Sequence, residues 1–363
     1  MPDDACAAGK RLVHHSDGPE RFGLRLKKGG LRMNMKRFLS LALCASMLVA
    51  SASAVSAKTY KMKIHSTGNE RNQSTPPLKQ FAKTVEEKTN GDVKVTIHFN
   101  GVLGGDRQAT EGMQLGTIEC GITTTSTLGT FDPRFNVFDL PFLFKDYETA
   151  YKAMDGELGD MLEKACLDQG LRILAWGVNG FRSISNSRKP IDVPADLGGL
   201  KIRCMENQLH VSTFKALGAN PTPMSFSELY TALSQGTVDG QDNPPILTFS
   251  AKFYEVQKYY SLTRHVFSVA PLVMSENFFQ RLPKEYQDVV QAAGKQYEAD
   301  VRAATENLEA ETIAELEKTS MKVNSINDEN HKLFVEATAP IYEEAEKLVG
   351  KDIVDVARSC LNN

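Results

Sequence analysis

The segment Leu197–Pro245 constrains the fold more than any other stretch of the chain. Leu200-Lys201-Ile202-Arg203-Cys204 alternates apolar and basic side chains, the period of a strand with Ile202 and Cys204 on one face and Arg203 on the other. A helical pattern over His210–Leu217 follows and stops at Gly218, ahead of turn chemistry in Asn220-Pro221-Thr222-Pro223. Ser225 or Ser227 caps a second helix, Glu228–Gln235, which Gly236 ends. Val238-Asp239-Gly240 then reads as a short strand leading to a loop, Gln241–Pro245. The unit is strand, helix, helix, strand, an α/β pattern with a guanidinium at one strand end and the Asn243 amide at the other.

The same alternation runs through the rest of the chain. Tyr60–His65 and Val93–Phe99 read as strands flanking a helix that Pro76-Pro77 starts and Asn90-Gly91 ends. The loop Gly101–Arg107 lacks both G-x-G-x-x-G and a Lys-Ser/Thr ending, so it reads as a turn leading into a helix rather than a phosphate cradle. Ile118–Ile122 is a short strand ending in a hydroxyl cluster, Thr123–Thr127. Such strand ends line the ligand crevice of an open α/β sheet, and a polar surface loop is the competing reading. Phe138–Phe144 is dense in aromatic and aliphatic residues and predicts core. Leu171–Gly177 holds the only Trp, Trp176, and the chain is expected to cross between domains near Asn179–Ser185. Phe249–Tyr260 reads as helical, and Leu262–Val266 and Pro271–Met274 as strands. From Pro283 to Lys318, apolar residues including Tyr286, Val290, Tyr297, Val301 and Leu316 recur at helical spacing, a helix of about 50 Å if unbroken. No strict heptad holds, which argues against a coiled coil.

The chain of 363 residues has room for two domains. Residues 1–57 are set apart from them. Met35-Lys36-Arg37, the apolar run Phe38–Ala50 and Val55-Ser56-Ala57 have the order of a cleavable signal peptide, and residues 1–34 read as an upstream extension, with Met33 or Met35 as the initiator. The apolar run falls short of the ~20 residues a membrane span needs, and Leu43 before Cys44 argues against a lipoprotein. The remaining 306 residues carry 33 basic and 41 acidic side chains, a net charge of −8 that disfavours nucleic acid and anionic membrane as partners. Their four cysteines, Cys120, Cys166, Cys204 and Cys360, show neither C-x-x-C nor zinc spacing; an oxidising compartment permits a disulfide, and spacing selects no pairing. Neither H-E-x-x-H nor G-x-S-x-G occurs, so the reading is not an enzyme, with no cofactor and no metal.

The run GLKIRCMEN and the block GANPTPMSFSELYTALSQGTVDGQDNP resemble the solute-binding proteins of TRAP transporters, the tripartite ATP-independent periplasmic systems of the DctP family. The resemblance runs from about Tyr60 into the C-terminal region and includes Phe138–Phe144 and Phe253–Tyr259. It implies a two-domain α/β periplasmic binding protein fold in which Pro283–Lys318 is a long helix spanning both domains. Domain I would comprise residues 58–180 plus 269–308, domain II 181–268 plus 309–363, with the ligand cleft between them. It implies Arg203 as the carboxylate clamp, Asn243 as an added amide, Arg182 as a second positive group and Phe226 as a ring against the ligand. Glu206, if it faces inward, would repel a second carboxylate and favour a hydroxyl or amino group. Thr124 stands where sialic acid-binding members carry Glu. Trp176, Phe181, Phe226 and Tyr230 would suit an aromatic or otherwise apolar acid, and hydrophobic core is the competing reading of these rings. The implied partners are a small organic acid and the membrane subunits of a TRAP permease, in the periplasm, without membrane insertion of the mature chain. A periplasmic sensor would share this pocket, and an exported enzyme survives only through unplaced pairs such as His265 with Glu276.

Overall fold

The computed structural model of the protein describes Gly23 and residues 59–360, so the expected signal peptide and its cleavage site lie outside the described residues. In chain order the strands are β1 (Tyr60–His65), β2 (Val93–His98), β3 (Cys120–Ile122), β4 (Leu171–Ala175), β5 (Val178–Asn186), β6 (Lys201–Cys204), β7 (Asn220–Pro223), β8 (Gly240–Asn243), β9 (Tyr259–Val269), β10 (Leu272–Ser275) and β11 (Lys322–Ser325). They form two sheets, with spatial order β2-β1-β3-β10-β4 and β11-β9-β5-β8-β6-β7.

In the first sheet β1 runs parallel to β2 and β3, and β10 runs antiparallel to β3 and β4. The helix Thr75–Lys88, with prolines in its first turn where no intrahelical donor is needed, turns Leu78, Phe81 and Val85 onto Met62 and Ile64 of β1. In the second sheet β6 runs parallel to β7 and β8, while β5 runs antiparallel to β8 and β9. Ile184, Ile202, Cys204, Phe214 and Leu217 fill the core on that side. The helix Lys284–Glu317 has 34 residues, a length of about 51 Å. It packs on Thr75–Lys88 and β4 at one end and on Pro245–Ser250, β5 and β11 further along, so it runs along both sheets.

β5 and β9 are the long strands that lead from the first sheet's side into the second. Their pairing slips between Val178 and Gly180 and again between Arg182 and Ile184. Gly180 has φ 96°, and a Cβ there would stand 2.7 Å from the Tyr147 hydroxyl. Only glycine meets both conditions without strain.

Four stretches differ from the sequence reading. Asn220–Pro223, read as a turn, is an edge strand against β6, a position where proline's missing N–H leaves no ladder bond unmade. Gln241-Asp242-Asn243, read as a loop, belongs to β8, an interior strand whose four residues are all buried. Phe249–Tyr260 is not one helix. Pro244-Pro245 starts a helix over Pro245–Ser250, left-handed Lys252 (φ 59°) breaks it, and β9 begins at Tyr259. The C-terminal helices Ile341–Val349 and Lys351–Ser359, assigned from sequence to domain II, bury Ala345, Val349, Ile353, Val354 and Ala357 in one core with Phe138, Leu140 and Leu158. Ile341–Val349 also touches the helix Gln208–Ala216, so this stretch bridges the two sides rather than closing one.

Candidate functional site

Alternation along β6 sends Ile202 and Cys204 into the core and Arg203 to the opposite face, where it is only 2% exposed. Its Nε and Nη2 both donate to the Met224 carbonyl, at 3.0 and 2.7 Å. No carboxylate among the described residues pairs with it. Burial, reinforced by the nearby Arg182 charge, pushes its pKa down to about 10, so it stays cationic at neutral pH.

β5 brings in Arg182, which is differently placed. Its Nε donates to Asp242 Oδ2 at 2.6 Å, and its Nη2 donates to Asp242 Oδ1 at 3.0 Å and to the Asp242 carbonyl at 2.5 Å. Both side chains are buried. Burial alone would raise the Asp242 carboxyl, but the Arg182 charge and its hydrogen bonds outweigh it and hold the group well below the usual carboxylate range. Burial lowers His265, whose Nε2 lies 3.3 Å from Asp242 Oδ2. Next along β8, Asn243 donates from Nδ2 to Gln241 Oε1 at 2.5 Å, and its carbonyl accepts from the Tyr260 hydroxyl at 2.9 Å.

Arg182, Arg203, Asn243 and Phe226 line one cavity of ≈540 Å³. The facing wall comes from the first sheet's side and is polar: Ser66, Asn72, Asp106, Thr123 and Thr124. Asp106 opens the helix Asp106–Gln114, and its Oδ1 lies 3.3 Å from Nε2 of the buried His65. Beyond Arg203 and Phe226 a second recess of ≈380 Å³ shares Asp106 and Met205 with the first and adds Glu206 and Ser225. The two sides also meet directly, with Asn69 Nδ2 donating to the Ser250 carbonyl at 2.8 Å.

Of the six residues singled out from sequence, the structure brings Arg182, Arg203, Asn243, Phe226 and Thr124 onto the main cavity, and places Glu206, exposed, in the outer recess. The Thr124 hydroxyl also caps the turn Thr125–Leu128 by accepting from Thr127 N at 3.2 Å. The aromatic lining expected from sequence reduces to Phe226. Trp176 packs on Phe138 and donates to Glu163, Phe181 lies beneath Arg264, and Tyr230 bonds Glu255 at the surface. The first two rings fill core, where large aromatics bury most area. Sequence reasoning missed Asp242, which reads as a loop residue between Gln241 and Asn243, and Asp106, which reads only as part of the loop Gly101–Arg107 leading into a helix. All four cysteines of the described chain are free. Among the described residues, no helix is long and apolar enough to cross a membrane, and no group of three or more His, Cys, Asp or Glu could hold a metal ion.

Residues 65–348 match the family described as bacterial extracellular solute-binding protein, family 7, or DctP. The chain belongs to this family. A solute-binding protein of Verminephrobacter eiseniae is 37% identical over 306 residues, covering 84% of this chain and 91% of that relative. Among solved structures, a sugar acid binding protein from Advenella mimigardefordensis in complex with galactonate superposes with a TM-score of 0.82 at 34% identity, over 84% of this chain and 98% of that one. A TRAP periplasmic solute binding protein from Polaromonas sp. JS666 bound to D-erythronate gives 0.80 at 39% identity, over 83% and 98%. As a family 7 protein, the chain has the two-domain α/β architecture in which Lys284–Glu317 is the long helix, and the cavity lies between the sides built on its two sheets.

Proposed function

We propose that this family 7 protein captures a sugar acid, a polyhydroxylated monocarboxylate, by closing two lobes around it, and delivers it in the periplasm to the membrane subunits of a TRAP permease. One lobe is residues 58–180 with 269–308. The other is 181–268 with 309–340, and the last helices bridge them.

The observation that carries this reading is the difference between the two arginines. Arg182 is already neutralised by Asp242, whereas Arg203 is a buried cation bonded only to a carbonyl. A buried unpaired charge is costly, and one ligand carboxylate meeting the guanidinium through two parallel hydrogen bonds removes that cost. Across the cavity, Asp106 accepts hydrogen bonds from ligand hydroxyls and repels a second carboxylate, and Thr123, Thr124 and Ser66 extend the same polar wall. Galactonate and D-erythronate, the acids in the two similar structures, each combine one carboxylate with several hydroxyls.

Thermal shift followed by titration calorimetry with galactonate, D-erythronate and succinate tests the reading. At least one of the two sugar acids should bind and raise the melting temperature, and succinate should bind more weakly than it. A preference for succinate, or no stabilisation by either sugar acid, would overturn it.

A further inference from the structure

A buried polar cluster behind the outer recess joins the two lobes, and its Ser126 also lines that recess. Asn207 precedes the helix Gln208–Ala216 and lies four residues after Arg203 on the same chain segment. Its amide is used at both ends. Oδ1 accepts from Leu209 N at 2.9 Å and His210 N at 3.3 Å and so caps its own helix. Nδ2 points into the opposite lobe, with the Ser126 carbonyl at 3.1 Å, Asn136 Oδ1 at 2.5 Å and Asp139 Oδ2 at 3.0 Å. His210 follows it in: its Nε2 lies 3.1 Å from Asp139 Oδ1, which also accepts from the Ser126 hydroxyl at 2.5 Å.

The receptacle is built for this contact. Asn207, His210, Ser126, Asn136 and Asp139 are all buried. Gly129 leaves the space in which the Asn136 amide sits, since a Cβ on it would meet Asn136 Oδ1 at 1.8 Å. Three oxygens converge on one NH₂ group, so the receptacle selects a donor and rejects an acceptor. Thr124, two residues before Ser126, lines the cavity, so the junction is tied to the cavity on both sides.

We propose that Asn207 is a positioning residue for ligand capture, a latch whose docking onto Asp139, Asn136 and Ser126 holds the Arg203 segment over the bound acid. Opening the cleft withdraws the amide and lets water reach both partners, and closing it restores the contact. The latch therefore stabilises the closed form and slows ligand escape without touching the ligand.

Asn207→Asp isolates the docking half of the amide. Asp caps a helix about as well as Asn, but its carboxylate would face the Asp139 carboxylate and two amide oxygens. Stopped-flow with galactonate should give a dissociation rate at least about tenfold faster, with the association rate little changed. The melting temperature of the free variant should stay near wild type, while the shift produced by galactonate shrinks. Free of ligand, small-angle scattering should find the variant more expanded than wild type. Unchanged dissociation, or a free melting temperature lowered as far as the liganded one, would make the contact merely structural and sink the proposal. The ligand arm rests on the sugar-acid reading. If galactonate fails to bind wild type, it is that reading that fails for this acid, and the scattering comparison still decides the latch: superimposable curves overturn it.

Discussion

Arg182 Nε lies 2.6 Å from Asp242 Oδ2, with neither side chain reaching solvent. Breaking such a buried pair leaves a bare charge, so it sets the position of Arg182 while removing most of its net charge from the cavity. Arg203, with only the Met224 carbonyl as partner, keeps its charge for whatever enters. The two arginines of the cavity therefore differ: Arg182 is fixed and neutralised by Asp242, and Arg203 is a buried cation with no carboxylate partner among the described residues.

Substitution at Arg203 separates clamp from scaffold. Arg203→Ala should weaken sugar-acid binding by at least about 2–5 kcal/mol, roughly thirtyfold to several-thousandfold. Arg203→Lys, a point charge on a flexible stem, should weaken it clearly as well. Arg188→Ala is the control, because Arg188 is exposed and pairs with Asp239 outside the cavity, and it should bind almost normally. Calorimetry that found Arg203→Lys equal to wild type would remove the clamp.

Substitution at Asp242 should act on the fold before it acts on the ligand. Asp242→Asn leaves Arg182 buried without its counter-charge, a loss of about 3–5 kcal/mol in unfolding free energy, readable by urea denaturation of the free protein. Its pH dependence has a definite sign. The carboxyl is held well below its ordinary value, so its contribution is complete above the unfolded value of ~3.9 and is lost as pH falls toward the depressed one. Wild type should therefore lose stability more steeply than Asp242→Asn as pH drops below about 4. Parallel acid-unfolding curves would contradict this assignment.

Gly180→Ala tests the crossing between the lobes. At φ 96° a Cβ is strained by itself, and here it also meets the Tyr147 hydroxyl at 2.7 Å and Thr305 Cγ2 at 3.3 Å. The expected cost is about 1–3 kcal/mol, seen as a lower melting temperature of the free protein. A variant as stable as wild type would mean that the crossing relaxes freely at this point.

How much of this was legible in the sequence differs from element to element. Arg203 on one face of a strand and Ile202 and Cys204 on the other follow from alternation alone, and Lys284–Glu317 follows from helical spacing, with ends one residue from those expected. These are patterns in which each residue's environment repeats locally, so neighbours in sequence carry the information. The resemblance carried by the PTPM and VDGQDNP blocks pointed to Asn243 and Phe226 in the same way.

Tertiary structure alone decided β8, the latch and the packing of Trp176 and Phe181 away from the cavity. Gly240-Gln241-Asp242-Asn243 has no apolar residue, and a buried polar strand is stable only because its partners arrive from elsewhere. Arg182 lies 60 positions from Asp242, and Asp139 lies 68 positions from Asn207. No local period records such pairs. Sequence by itself placed Arg203 on its strand, away from the core face of Ile202 and Cys204; the long-range pairing of buried charges decided that Asn243 belongs to a strand and that Arg182 is neutralised while Arg203 is not.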